Sequence, residues 1–225
     1  MFDCSVNTPN HVFFIFPKGV ALICGRYYIS IDEKELQDIA RAAAAKAQPD
    51  EMTLMKTNGE IFPTDTVPVM TAPETVLPMQ WGFTQEGKKG PPIINARSET
   101  IMERPMFKTP AQRHRCLIPC NGFYEWDARK QKYFYHSPGR GMLLLAAIWR
   151  MERGARLPRF TILTRQAVGD MLEIHDRMPV VVPRELADTW LLEASKIAEV
   201  LGQAVTELAI ENLAPPPEPT LFDMA

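Results

Sequence analysis

Several things are scarce in this chain of 225 residues, and each scarcity removes a class of function. Four cysteines, Cys4, Cys24, Cys116 and Cys120, are too few for the disulfide framework of a small secreted scaffold. Cys116 and Cys120 flank Leu-Ile-Pro without a second cysteine pair, so a zinc site is poorly supported and no metal is expected. No apolar run approaches the roughly 20 residues of a membrane helix, and a reducing cytoplasm is the expected location. No glycine-rich loop opens a helix, which argues against nucleotide-dependent chemistry and for a protein without a cofactor. No internal repeat is visible. Charge of one sign is also missing: the net formal charge is −2, so no overall field announces a polyanionic partner.

What is present is an ordinary globular balance, 46% hydrophobic and 23% charged, with one local asymmetry. Residues 88–140 carry 11 Lys and Arg against 4 Asp and Glu. A basic stripe of that kind can bind phosphates, or it can be a set of solvated arginines.

Strand signals dominate. Alternating or apolar segments predict strands over 26–31, 79–83, 92–95, 115–119, 122–126, 132–136, 142–150, 159–164, 179–182 and 205–210. Helices are expected over 32–47, where Ser30 and Glu33 suggest a capping box, over 184–192 and 195–201, and as a short piece over 168–173. The proline-rich stretch 51–79 reads as irregular with short edge strands. The order is α+β, without βαβ alternation. Residues 1–23 stand apart as an N-terminal extension, and 214–225, opening with three prolines, as a flexible tail.

Four distant segments carry reactive groups. Cys24-Gly25-Arg26 offers a thiol beside a guanidinium that would favour thiolate and hold a phosphate; a free cysteine equally serves as a small buried hydrophobe. Asn95, in Asn95-Ala96-Arg97-Ser98-Glu99-Thr100, can orient an oxygen or merely cap a turn. Glu125, in Gly122-Phe123-Tyr124-Glu125-Trp126, falls by alternation on the face opposite Tyr124 and Trp126; it is either an acid–base group or a surface carboxylate. His175, in His175-Asp176-Arg177-Met178-Pro179, sits at a strand mouth and suits proton transfer.

In this order and spacing, together with Trp81-Gly82-Phe83, Met106-Phe107-Lys108, Arg115-Cys116-Leu117-Ile118-Pro119 and Thr161-Ile-Leu-Thr164, the segments resemble the SOS-response-associated peptidase (SRAP) family, the abasic-site processing proteins. The resemblance covers nearly all of 24–210. It implies a single β-rich domain over 24–213, with an antiparallel, partly barrel-like sheet core and peripheral helices. It implies a protein that binds single-stranded DNA, joins covalently to an abasic deoxyribose and so protects the site during the response to DNA damage. The family's nucleophile matches Cys24, and its site asparagine, glutamate and histidine match Asn95, Glu125 and His175. Its DNA contacts match Arg26, Arg97, Thr164 and Arg177, with Trp81, Phe83 and Trp126 beside the bases. The expected form is a monomer.

The chemistry implied is a thiazolidine formed by the amine and thiol of an N-terminal cysteine on the ring-opened sugar aldehyde. Here this sequence departs from the family, because Cys24 follows Ile23 and an internal cysteine has no free amine. Either the extension is cut away, as by a self-cleaving peptidase activity such as the family name suggests; or the chain is inactive; or its assigned start is wrong. The last reading is favoured, because Lys18-Gly19-Val20 can be encoded as a bacterial ribosome-binding site, with Ile23 on the start codon. Cys120 is a second departure, where alanine is more typical. Competing functions are a cysteine peptidase using Cys24 and His175, a lyase, and a non-catalytic single-strand binding module. In the tail, Leu221-Phe222 with Glu218 partly resembles the short motifs that dock into sliding clamps; the alternative is that the pair folds back onto the domain.

Overall fold

The computed structural model describes residues 25–85, 87 and 90–213. Residues 1–23, Cys24 and the 214–225 tail with Leu221 and Phe222 fall outside that set.

In chain order, strand β1 (Arg26–Ile29) leads to helices α1 (Lys34–Ala44) and α2 (Pro49–Leu54). Strands β2 (Gly59–Ile61), β3 (Thr66–Ala72), β4 (Thr75–Trp81) and β5 (Asn95–Arg97) follow, then helix α3 (Pro105–Arg113). Next come β6 (Arg115–Cys120), β7 (Gly122–Trp126), β8 (Lys132–His136), β9 (Leu143–Arg150), β10 (Arg159–Gln166) and β11 (Arg177–Pro179). Helices α4 (Ala187–Leu192) and α5 (Ile197–Gly202) and strand β12 (Ala209–Asn212) complete the described chain.

Two sheets result. The first runs β12-β8-β7-β1-β2 and is antiparallel throughout. The second runs β11-β10-β4-β3-β6-β9, and a further β9–β10 pairing closes it into a ring. The expected antiparallel, partly barrel-like core is therefore present, with two exceptions: β10 meets both β4 and β5 in parallel.

Alternation explains how the layers stack. On β9, Leu143, Leu145 and Ala147 join one core cluster with Tyr27, Trp81, Phe123 and Tyr135. The intervening Leu144, Ala146 and Ile148 join a second cluster with Trp190, Ile197 and Val200 of α4 and α5. The ring-forming sheet is thus buried on both faces, by the first sheet and by helices, and β9 reads as a continuous apolar run because neither side meets water. Arg115, 4% exposed, ties helices to sheet by donating to the carbonyls of Ala111, Gln112, Trp190 and Leu191. A guanidinium at the last carbonyls of two helices is favourably placed in their dipoles.

Four local expectations change. Glu33 does cap α1 in position, yet its side chain accepts from Asn121 Nδ2 at 2.8 Å instead of closing a box with Ser30, whose hydroxyl goes to Asp32. The real capping box is Gln48–Glu51 on α2, a helix that runs into the stretch from residue 51 expected to be irregular. Helix α3 was not expected at all; Pro105 opens it where no N–H is needed. The last strand begins at Ala209, because Val205 instead donates to the Val181 carbonyl. Pro68 and Pro78 sit opposite each other in β3 and β4. They are tolerated because β3 pairs with β6 only at Met70, and β4 with β10 only at Gln80 and Trp81, so the next strand asks neither proline for an N–H.

Candidate functional site

Glu125 is the most enclosed of the reactive groups, 1% exposed. On β7 it alternates with Tyr124 and Trp126, whose rings meet on the outer face 6.4 Å apart. Glu125 therefore shares the inner face with Phe123, as the sequence predicts. Its cross-strand partner is Tyr133 of β8. On the other side β1 pairs Arg26 with Tyr124 and Tyr27 with Phe123. Continuing that register one step sets Gly25, the residue after Cys24, beside Glu125. The buried carboxylate thus stands next to the start of β1.

Asn95, Arg97, Thr164, His175 and Arg177 gather on the second sheet. Parallel pairing aligns Asn95 with Ile162 and Arg97 with Thr164, and β11 places Pro179 on the far side of Thr164. His175 lies in the turn before β11, where its N–H donates to the Met171 carbonyl. Its Nδ1 accepts the Arg177 backbone N–H at 3.0 Å, which fixes the neutral ring with its proton on Nε2. The same nitrogen is 3.0 Å from the Asp176 carboxylate, itself 84% exposed. The two groups of residues share a core: Ile94, before Asn95, and Ile174, before His175, pack in the cluster that holds Phe123 and Tyr135.

Arg177 is not a free cation. It is buried, and its guanidinium grips both oxygens of Glu99, at 2.6 and 2.7 Å, and the Thr164 carbonyl at 2.7 Å. A phosphate would have to displace Glu99. The arrangement makes Arg177 a clamp that joins β11 and β10 to the Ser98–Thr100 turn after Arg97. Glu99 stands in a quoted motif, but sequence reasoning gave it no role; its signal, a lone acid two residues after an arginine, is too common to be noticed. Bonding to Arg177 holds the Glu99 carboxyl down at about 2, against 4.5 ordinarily. Because the folded value is depressed, this contribution to stability is complete above pH 4.5 and is lost as the pH falls toward 2. Glu99→Gln is expected to flatten the loss of thermal midpoint across that window; an unchanged acid limb in melts from pH 5 to 2 would show that the clamp contributes nothing.

Arg26 and Trp126 lie on the outer face of the first sheet. The Arg26 guanidinium covers Phe62 at 4.5 Å and Trp126 at 5.0 Å, and pairs with Glu60 at 3.3 Å. Lys132 extends the row, 3.9 Å above Tyr124. Arg97 is exposed. Three further residues expected beside the DNA are buried in the structure. Trp81 and Phe83 are both 0% exposed, and Trp81 spends its indole N–H on the Ile94 carbonyl at 2.9 Å. Trp81 packs on Tyr27 and Phe160, and Phe83 lies against Phe107 of α3 with the Arg150 guanidinium over its ring. Thr164, 1% exposed, is enclosed between β5 and β11.

Cys116 and Cys120 are free and buried, and burial pushes both thiols up, away from reactivity. Among the described residues no helix is long and apolar enough to cross a membrane.

Comparison with known proteins agrees with this geometry. The family model for SOS response associated peptidase (SRAP) matches residues 23–214. The abasic site processing protein YedK of Escherichia coli is 32% identical over 143 residues, 61% of this chain and 62% of that protein. The abasic site processing protein YoaM of Bacillus subtilis is 35% identical over 126 residues, 50% of this chain and 55% of that one. These alignments span less than two thirds of either relative. A phage-related protein from Bordetella bronchiseptica, solved by crystallography, superposes with a TM-score of 0.65 at 27% identity, covering 85% of this chain and 95% of its own. With a family model matched over residues 23–214, the chain belongs to the SOS response associated peptidase family.

Proposed function

We propose that this chain, beginning at Cys24, binds single-stranded DNA and captures abasic sites as a covalent thiazolidine. One observation carries the reading: Glu125 is buried beside the start of β1, while Asn95 and His175 extend from residues packed in the same core cluster. The names of the relatives support the substrate, since both are abasic site processing proteins.

An abasic deoxyribose opens to an aldehyde. The Cys24 amine condenses with it, losing water to give an imine. The Cys24 thiol then adds across the C=N bond, its sulfur to carbon and its proton to nitrogen, closing a five-membered ring. An α-amine near pKa 8 is partly neutral at pH 7, and the second step is intramolecular. Glu125 serves ring opening as acid and base, His175 carries protons to and from the nitrogen, and Asn95 holds the sugar oxygen. Exposed Arg97 and the Arg26–Trp126 pair meet phosphates and bases. Arg177 acts through Glu99, holding Arg97 and His175 in place. The chemistry uses only these side chains and the chain terminus.

The test is adduct formation. Protein starting at Cys24 is expected to give a heat-stable adduct with single-stranded DNA carrying an abasic site and none with intact DNA, and Cys24→Ala is expected to abolish the adduct while non-covalent binding persists. Undiminished adduct from Cys24→Ala would overturn the reading. Turnover of a peptide by the same protein would favour the peptidase instead.

A further inference from the structure

A carboxylate stands in the path assigned above to the DNA. Glu60, on β2, gives one oxygen to each of two cations: its Oε2 accepts from Arg26 Nη1 at 3.3 Å, and its Oε1 accepts from Lys132 Nζ. Both cations lie against aromatic rings of the same outer face. Arg26 covers Phe62 and Trp126, and Lys132 Nζ is 3.9 Å from the centre of the Tyr124 ring and 5.8 Å from that of Trp126. The sheet order sets Glu60 on the edge strand β2 and Lys132 on β8, with β1 and β7 between them. That is roughly 14 Å of sheet at the usual strand spacing. The two side chains therefore bridge across the face, over the rings, and do not extend straight into water.

The bridge is accessible. The side chains of Arg26, Glu60 and Lys132 are 35%, 28% and 26% exposed, so a ligand can reach all three. Ion pairs this exposed contribute little to stability, and holding long side chains in one place costs rotamer freedom. The other cations of the face are settled elsewhere: Lys56, beside Phe62, is 3.1 Å from Asp65, and Arg140 is bonded to Glu211. Among the described residues, Glu60 is the one carboxylate that pairs with Arg26 or with Lys132.

A phosphodiester presents the same chemistry as this carboxylate, one negative charge shared over two terminal oxygens, and it suits the same two donors. Two such anions cannot share one pair of cations without repulsion. We infer that Arg26 and Lys132 form a phosphate subsite which Glu60 occupies in the free protein, so that a DNA phosphate enters by displacing the Glu60 carboxylate. The inference rests on the DNA-binding reading above and adds Lys132 and Glu60 to it. The exchange is of one anion for another, and no covalent bond changes. It weakens the hold on intact and abasic strands alike, because the phosphate is common to both. A covalent trap tolerates that: the bond to the sugar retains the abasic strand, whereas an intact strand leaves sooner. Glu60 thus sharpens discrimination without touching the reacting atoms.

The experiment uses protein beginning at Cys24. It measures binding of intact single-stranded DNA by fluorescence anisotropy across a salt series, and single-turnover adduct formation as abasic DNA is varied. Glu60→Gln is expected to tighten intact DNA by about three- to thirtyfold, the worth of two exposed ion pairs. It is expected to steepen the plot of log affinity against log salt by about 0.7, one single-strand phosphate's worth, because no displaced carboxylate takes up a cation in return. The DNA concentration that half-saturates adduct formation falls with it, while the rate at saturation holds. Lys132→Met is expected to weaken binding, and by more in the Glu60→Gln background than in wild type, because there the lysine has no competing carboxylate. Glu211→Gln, which removes the same charge from the same face, is expected to leave affinity within about twofold. Unchanged or weaker binding by folded Glu60→Gln overturns the subsite. So does an equal gain from Glu211→Gln, or a Lys132→Met loss identical in both backgrounds. Each of these outcomes, with adduct still formed by wild type, leaves the capture reading standing. No binding of single strands by wild type overturns that reading and the subsite together.

Discussion

Protein that keeps residues 1–23 ahead of Cys24 is expected to form no thiazolidine, and trimming to Cys24 is expected to restore it. The argument is one of effective concentration. In an N-terminal cysteine the amine and thiol sit on adjacent carbons, and well-oriented intramolecular closures reach effective molarities of about 10⁵ M or more. An α-amine 23 residues up the chain from the thiol is presented at roughly millimolar concentration. Even where that distant amine forms an imine, the Cys24 sulfur can close only a macrocycle. The rate falls by many orders of magnitude, so the expected result is effectively all or none. Equal adduct from trimmed and from verified untrimmed protein would mean that sulfur acts without the neighbouring amine.

Gly122→Ala is expected to be the most damaging small substitution in the site segments. A Cβ at Gly122 would lie 2.3 Å from the Tyr135 carbonyl oxygen and 2.5 and 2.7 Å from carbons of the Phe134 ring. The nearest of these atoms is backbone in the paired strand β8, so no rotamer change relieves it, and β7 and β8 must separate locally. Overpacking of this kind costs about 3 kcal/mol, or roughly 10 °C of thermal midpoint for a chain of this size. Adduct formation should fall further than stability at temperatures where the variant is folded, because Glu125 lies three residues along the same strand. A midpoint within a few degrees of wild type would show that the two strands separate easily.

Where the sequence speaks through period, it speaks clearly. The alternation of Gly122–Trp126 puts Glu125 on the face away from Tyr124 and Trp126. The unbroken apolar run of β9 marks a strand buried on both sides. What is hidden depends on partners far along the chain. Nothing near Trp81 or Phe83 reveals that Phe160 of β10 and Phe107 of α3 will cover them, so exposed aromatic platforms were a natural expectation. Arg177 looks like a phosphate ligand until Glu99, 78 residues earlier, is seen to occupy it. Ser30 and Glu33 have the spacing of a capping box, but Asn121 claims the glutamate. Helix α3 is obscured by Pro105 and Pro110, one placed where helices begin and the other tolerated inside.

The most direct measurement is the intact mass of the species formed by protein beginning at Cys24 with an abasic single strand, without any reducing agent. The account predicts one product at the summed masses of protein and DNA less one water, stable to heat, absent in Cys24→Ala. A product that appears only after reduction, that has lost part of the DNA strand, or that forms equally without Cys24 would contradict thiazolidine capture.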